Sequence, residues 1–125
     1  MVASRRAPDP GEVRDALAAV TAWLDGQAGK PARAELATAV RLTLRALQHR
    51  APGSSVEVRV PPFAAVQCIA GPQHTRGNPP NVVEADPRTW LELACGRMRW
   101  AEAVDGGRIS VSGTRADLSD WLPVD

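Results

Sequence analysis

One stretch of the chain decides the fold, NVVEADPRTWLELACGRMRWAEAVDGGRISVSG, residues 81–113. Asp86 and Pro87 supply a helix N-cap and a proline at the first helical position, and Gly96 suits the residue just past the helix end. A second short apolar segment follows, and a double glycine then turns the chain. Residues 108–112 alternate polar and apolar side chains, as a half-buried strand does. The stretch therefore predicts a strand, two short helices and a second strand.

This succession resembles the C-terminal half of the sterol carrier protein fold, in the small bacterial branch of that family. There a strand leads into a TW/F-x-x-L-x-x-G helix, followed by an A-x-x-x-G segment and an I-x-x-x-G strand. The residues that carry the resemblance here are Thr89, Trp90, Leu93, Gly96, Ala103, Gly107, Ile109 and Gly113. The resemblance implies an α+β fold and a role in binding a hydrophobic small molecule or lipid.

The composition limits the class of protein. A chain of 125 residues forms one domain, and no apolar run approaches the ~20 residues of a membrane span. The N-terminus has no apolar core of a secretory signal, so we expect a cytoplasmic protein. A net charge of +1 gives no field that would attract nucleic acid.

The predicted organisation is a disordered tail over residues 1–8 and a single domain over residues 9–125. Within it, residues 9–50 are expected to form a helical hairpin, and residues 54–122 a sheet with its helices. The fold class is α+β: a mostly antiparallel sheet of about four to five strands with helices on one face, preceded by that hairpin.

Two apolar stripes define the hairpin. The first helix is predicted from an Asp9-Pro10 start to about Gln27, and the second from about Ala32 to His49. Their apolar stripes are Val13, Leu17, Val20 and Leu24 in the first helix, and Leu36, Val40, Leu44 and Leu47 in the second.

The strands are predicted from shorter patterns. Val56–Val60 alternates apolar and charged residues, which indicates a strand with one buried face. Two prolines interrupt the pattern, and residues 64–70 then run almost continuously apolar, as a more central strand would. Residues 81–85 and 108–112 complete the sheet, and residues 116–122 are predicted to form a final short helix or turn.

The strongest local candidate for a polar site is the proline-rich loop over residues 71–80. His74 and Arg76 in this loop could together hold a carboxylate or a phosphate, with the arginine giving the bidentate contact. The alternative is structural: the prolines set a crossover and Arg76 pairs with Glu84 or Asp86.

An apolar site is implied by the resemblance alone. In the sterol carrier fold the sheet and its helices enclose a tunnel for a lipid chain, and by that resemblance the tunnel is lined by Trp90, Leu93, Ala94, Met98 and Val104. Core filling is the alternative, since the two roles use the same residue types.

The sequence offers little support for a catalytic or metal-binding site. Cys68 and Cys95 have neither metal nor redox spacing, and no serine lies in a nucleophile motif, so we expect no catalytic residue, no metal and no cofactor. Arg41, Arg45 and His49 form a basic ridge, interpreted as a solvated helix face; contact with anionic lipid headgroups is the alternative. Membrane contact is expected to be peripheral at most.

The expected function is therefore non-catalytic binding or carriage of a hydrophobic compound or lipid. The alternative is a ligand-free accessory domain that forms a homodimer or docks on an enzyme partner. A weaker third hypothesis is a small enzyme that uses His74 and Arg76 on an acidic metabolite.

Overall fold

The computed structural model describes residues 6–71 and 81–125. Five helical segments and four strands occur in this part of the chain. The elements in chain order are α1 Pro10–Leu24, α2 Arg33–Arg50, β1 Val56–Val60, β2 Ala64–Cys68, β3 Asn81–Ala85, α3 Pro87–Ala94, α4 Trp100–Asp105, β4 Ile109–Ser112 and a 3-10 turn Ser119–Trp121. The predicted α+β class is confirmed.

The helix starts follow the caps that the sequence predicts. The Asp9 carboxylate accepts a hydrogen bond from the backbone N–H of Glu12 at 3.3 Å, and the Asp86 carboxylate accepts one from Thr89 at 3.0 Å. In both helices a proline follows the cap, where its missing N–H costs nothing. The first helix ends at Leu24, three residues before the predicted end.

The four strands lie in the order β2-β1-β3-β4. The β1–β2 and β3–β4 pairs are antiparallel, whereas β1 and β3 run parallel. The sheet is therefore mostly antiparallel by pairing, with one parallel contact at its centre. The expectation that residues 64–70 form a more central strand is wrong, because β2 lies at the edge of the sheet that the described residues form. Its apolar side chains face α2, which packs on this strand.

The helices cover one face of the sheet. Val56, Val58 and Val60 of β1 are fully buried, while Arg59 and Glu84 on the other face are exposed. The second helix lies between this apolar face and α1, and it also contacts α3. It is consequently buried on more than one side, over Leu36, Ala37, Ala39, Val40, Thr43, Leu44 and Leu47. The predicted stripe of α1 is buried along its whole length.

Polar contacts join α1 to the rest of the domain. The Arg97 guanidinium donates to both carboxylate oxygens of Asp25, at 2.6 and 3.2 Å. The Arg88 guanidinium lies 4.9 Å from the centre of the Trp23 ring and also donates to the Leu24 carbonyl at 3.1 Å. The C-terminal end of α1 is thereby fixed to both ends of α3.

The turn before β1 depends on a close backbone approach. Gly53 has φ +145, and a Cβ at this position would lie 2.2 Å from the carbonyl carbon and oxygen of Ile69. In the same turn the Ser55 hydroxyl and backbone N–H both donate to the Ile69 carbonyl. Only glycine therefore fits at position 53 without moving the chain.

We expect Gly53→Ala to lower the free energy of unfolding by about 1–3 kcal/mol, because the added Cβ meets backbone that cannot move aside. Urea denaturation followed by circular dichroism measures the change. Gly29→Ala is the matched control, since a Cβ there meets no atom within 4 Å. Equal stability of the two variants would contradict the predicted clash.

The Asp25–Arg97 ion pair predicts a pH dependence of stability. The hydrogen bond from Arg97 lowers the pKa of the Asp25 carboxyl. A carboxyl whose pKa is lower in the folded state stabilises the fold above its ordinary pKa of about 4, and this contribution is lost as the pH falls through the lowered value.

We therefore expect Asp25→Asn to have a lower melting temperature than wild type at neutral pH. In acid the gap between the two melting temperatures should shrink, because Asp25 of the wild type becomes protonated. Thermal melts followed by circular dichroism across this pH range measure both effects. Asp15→Asn, an exposed change on the same helix, is the control. A constant difference between Asp25→Asn and wild type at every pH would rule out this linkage.

Candidate functional site

The centre of the domain is occupied by the Trp90 side chain. Its residue is 1% exposed, and its indole Nε1 donates a hydrogen bond to the Thr43 hydroxyl at 2.8 Å. The Thr43 hydroxyl in turn lies 2.6 Å from the Ala39 carbonyl of its own helix, to which it donates. A buried indole N–H needs such a partner, so this contact sets the position of α3 on α2.

The residues predicted to line a tunnel do not come together around one space. Trp90, Leu93 and Ala94 are buried in or beside the core, and Met98 is half-buried in the connection between α3 and α4. Val104 is 43% exposed on α4. Of these five, Leu93 and Met98 border a common groove in the described part of the chain.

His74 and Arg76, the predicted polar end of the site, lie outside the described residues. The hypothesis that they hold an anionic group, and the alternative pairing of Arg76 with Glu84 or Asp86, both stay predictions.

An apolar groove of ≈ 350 Å³ lies where the end of α3, the start of α4 and the C-terminal segment meet. Its volume is within the range of small-molecule sites. It is lined by Leu93, Gly96, Met98, Arg99, Trp100, Ala101, Ser119, Leu122 and Pro123. We call it the C-terminal groove.

Backbone hydrogen bonds fix the walls of the C-terminal groove. The N–H of Val124 donates to the Ala94 carbonyl at 2.9 Å, which lays the chain end along α3. The N–H of Met98 donates to the Glu92 carbonyl at 3.2 Å, so the turn after α3 folds back on the helix. The groove is therefore built on backbone contacts within the domain, although its rim is open to solvent.

The polar rim of the groove is formed by an ion pair. Arg99 Nε lies 3.5 Å from a carboxylate oxygen of Glu102, and the Arg99 backbone N–H donates to the same oxygen at 2.9 Å. That backbone hydrogen bond, followed by the one from the Arg99 side chain, keeps the pKa of the Glu102 carboxyl below its usual value. Arg99 is largely exposed at the edge of this apolar surface.

The two thiols have different surroundings. Burial raises the pKa of the Cys68 thiol to about 12, so it stays protonated and unreactive at neutral pH. The Cys95 sulfur lies at the C-terminal end of α3 and accepts a hydrogen bond from Arg97 Nη1 at 3.2 Å. Within residues 6–71 and 81–125, no three histidine, cysteine or acidic side chains are placed to hold a metal ion.

Comparison with known families agrees with the fold. Residues 32–124 match a family model described as bacterial SCP ortholog, where SCP denotes sterol carrier protein. The chain therefore belongs to the bacterial sterol carrier protein-like family, as the sequence motifs indicated. At the level of the family, this membership points to a hydrophobic or lipid carrier, a class that is generally non-catalytic.

The match includes α2 and the whole sheet, and it begins after α1. The C-terminal groove lies entirely within the matched residues. No curated protein matches the chain at a significant level. None of the described helices is both long enough and apolar enough to cross a bilayer.

Sequence reasoning missed Trp100 and Leu122 as groove residues and Thr43 as the partner of Trp90. Thr43 gave one signal that could have been used: it is a polar residue on the apolar side of α2, and a buried hydroxyl requires a hydrogen-bond partner. Leu122 gave no comparable signal, because its place in the groove depends on how the chain end folds back.

We expect Trp90→Ala to lower the free energy of unfolding by about 3–5 kcal/mol, since the large side chain leaves a cavity. Trp90→Phe keeps most of the packing but loses the hydrogen bond to Thr43, so it should cost less. Circular dichroism in urea measures both changes, with Trp100→Phe as the half-buried control. Tolerance of Trp90→Ala at a cost below about 1 kcal/mol would show that the interior is not packed around this ring.

Proposed function

We propose that the protein binds a hydrophobic small molecule or a lipid chain in the C-terminal groove, without changing it chemically. The observation that carries the proposal is the groove itself, whose apolar lining includes Leu93 and Met98, two of the residues predicted from the sequence. The groove also lies within the residues that match the family of carriers.

The packing around Trp90 favours ligand binding in the C-terminal groove over binding in an internal tunnel. Trp90 occupies the space between α2 and α3, and its indole N–H is already satisfied by Thr43. A ligand that entered there would have to displace the ring and break this hydrogen bond. Binding at the groove needs neither change, because Met98 and Trp100 are already half-exposed.

Hydrophobic burial supplies the binding free energy in this proposal. Each Å² of apolar area removed from water contributes roughly 25 cal/mol. The binding free energy of an acyl chain or ring therefore grows with the apolar area that it buries in the groove. Met98 has a flexible, unbranched side chain that adapts to different ligand shapes. Arg99 and Ser119 offer polar groups for a ligand head within the described residues, and His74 and Arg76 remain the proposed polar end from the sequence.

The proposed carrier acts in the cytoplasm, with peripheral contact to membranes at most. It uses no metal, no cofactor and no catalytic residue. Residues 9–125 form its single domain in this proposal, with residues 1–8 as a tail; residues 6–8 lie in the described part, where Pro8 is buried.

A ligand-free association domain is the second candidate, and the packed interior around Trp90 favours it. The described residues also expose two large apolar side chains close to one edge of the sheet, Val104 on α4 and Val111 on β4, at 43% and 40%. The two elements contact each other, and β4 has no strand on its outer side in the described part of the chain. Homodimerisation through this edge would cover both side chains.

The first experiment is native mass spectrometry of the purified protein, followed by organic extraction and lipid analysis. We expect a near-stoichiometric hydrophobic compound in the wild-type protein. Met98→Glu should reduce affinity for a fluorescent fatty acid at least about tenfold, because it puts a carboxylate into the apolar groove.

Val111→Glu is the matched control, since it adds the same charge at an exposed apolar position outside the groove. Ligand affinity should be unchanged in this variant. An empty wild-type protein that ignores fatty acids would exclude the carrier proposal. A dimer in the same spectrum that Val111→Glu dissociates, with Met98→Glu still dimeric, would instead establish the association domain.

A further inference from the structure

A second groove, distant in sequence from the C-terminal groove, has a different chemistry. It has a volume of ≈ 530 Å³ and lies where the end of α2 meets the turn before β1 and the edge strand β2. Two arginines, a histidine and two glutamines supply most of its lining. Its residues are Arg6, Arg45, Gln48, His49, Pro52, Gly53 and Gln67. We call it the cationic groove, since none of its lining residues is acidic.

Arg45 is held in place without being neutralised. Its Nη2 donates to the Arg6 carbonyl at 3.2 Å, which leaves the formal charge of the guanidinium unpaired. Its Nε is buried and has no hydrogen-bond partner among the described residues. A buried donor without a partner is uncommon and requires an explanation. A site for an acceptor group of a ligand would explain it.

Three acidic residues border grooves next to the cationic groove, and none of them pairs with Arg45 or Arg6 among the described residues. Asp125 lines a groove that His49 also borders. Asp9 and Glu12 line a neighbouring groove together with Arg6 and Arg45. The Asp9 carboxylate is engaged in capping α1 through the Glu12 N–H. The ion pairs formed by the described residues include none between these acids and Arg45 or Arg6.

We propose that Arg6, Arg45 and His49 form a binding site for a phosphate group. A phosphate offers several acceptor oxygens at once, and guanidinium forks match that arrangement with charge-assisted hydrogen bonds. The carboxamides of Gln48 and Gln67 at the same groove supply neutral donors. The site is separate from the C-terminal groove and does not rest on the carrier proposal.

The phosphate group could belong to a phospholipid or to a soluble compound, and the grooves around His49 are compatible with either. His49 also borders a mostly apolar groove of ≈ 420 Å³ formed by the start of α1, the end of α2 and the chain end. Its other lining residues are Ala7, Pro8, Pro10, Val13, Ala46, Arg50, Val124 and Asp125. A phospholipid headgroup with its chain in this apolar groove would use both surfaces. A soluble phosphate compound would use the cationic groove alone.

The test is a titration of ¹⁵N-labelled protein with inorganic phosphate, followed by two-dimensional NMR against sodium chloride of equal ionic strength. We expect phosphate-specific shifts confined to Arg6, the end of α2, Gly53 and Gln67, the residues that line the cationic groove. Arg45→Gln should weaken binding about tenfold or more, because it removes a charge-assisted contact.

Arg41→Gln is the matched control: it removes the same charge one turn earlier on α2, from an exposed residue that does not border the groove. It should bind phosphate within about threefold of wild type, since an exposed charge one turn away acts only through water and does not contact the groove. Arg6→Gln, at an exposed position, repeats the test if Arg45→Gln does not fold. Shifts that sodium chloride reproduces, or equal losses in the Arg41 and Arg45 variants, would overturn the proposal.

Vesicles distinguish the two sources once phosphate binding is measured. If the protein sediments with phosphatidic acid vesicles but not with phosphatidylcholine vesicles, and Arg45→Gln abolishes this sedimentation, the ligand is a lipid phosphate. Phosphate binding without sedimentation would assign a soluble phosphate compound. Both results support the phosphate site, and the C-terminal groove is tested independently by Met98→Glu.

Discussion

The arrangement of this domain depends on one buried contact, the hydrogen bond from the Trp90 indole to the Thr43 hydroxyl. It joins α3 to α2 inside the hydrophobic core, and it satisfies the only polar atom of a large apolar side chain. Because a hydrogen bond holds its two partners at a defined distance, the contact fixes where α3 lies against α2. The position of everything that follows α3, including the C-terminal groove, is set from there.

The first helix is an addition to the part of the chain that matches the family, and its attachment is polar as well as apolar. Its apolar stripe packs on α2, while Asp25 and Trp23 bind Arg97 and Arg88 around α3. Burial of the stripe supplies the larger share of the stabilisation, since exposed ion pairs contribute little. The ion pair instead fixes the register of α1 on the domain, next to the turn that carries Met98.

The filled interior changes where binding can occur. A side chain as large as Trp90 leaves the centre of the domain to the protein's own atoms, and apolar surface for a ligand is found at the half-exposed Met98, Trp100 and Leu122. Arg6 and Arg45 lie at a different groove, which His49 also borders. The domain thus separates an apolar surface within the family-matched residues from a cationic surface that also uses residues before them.

The sequence by itself determined the local structure. Asp9 and Asp86 start their helices, the apolar spacing of α1 gives its buried face, and the alternation of Val56–Val60 gives β1, because each of these depends on neighbours within a few residues. The motif around Trp90 also sufficed to indicate the family, since its spacing is preserved along the chain. The ridge of Arg41, Arg45 and His49 was visible too, although its surroundings were not.

Only the tertiary structure decided the strand order, the parallel pairing of β1 with β3 and the edge position of β2. The same holds for the contact of Trp90 with Thr43, which lies 47 residues away, and for the groove that joins Met98 to Leu122. The physical reason is common to all of them. Contacts between distant segments depend on which packing of the whole chain buries the most apolar surface while pairing its buried polar groups, and no local pattern of residues records that result.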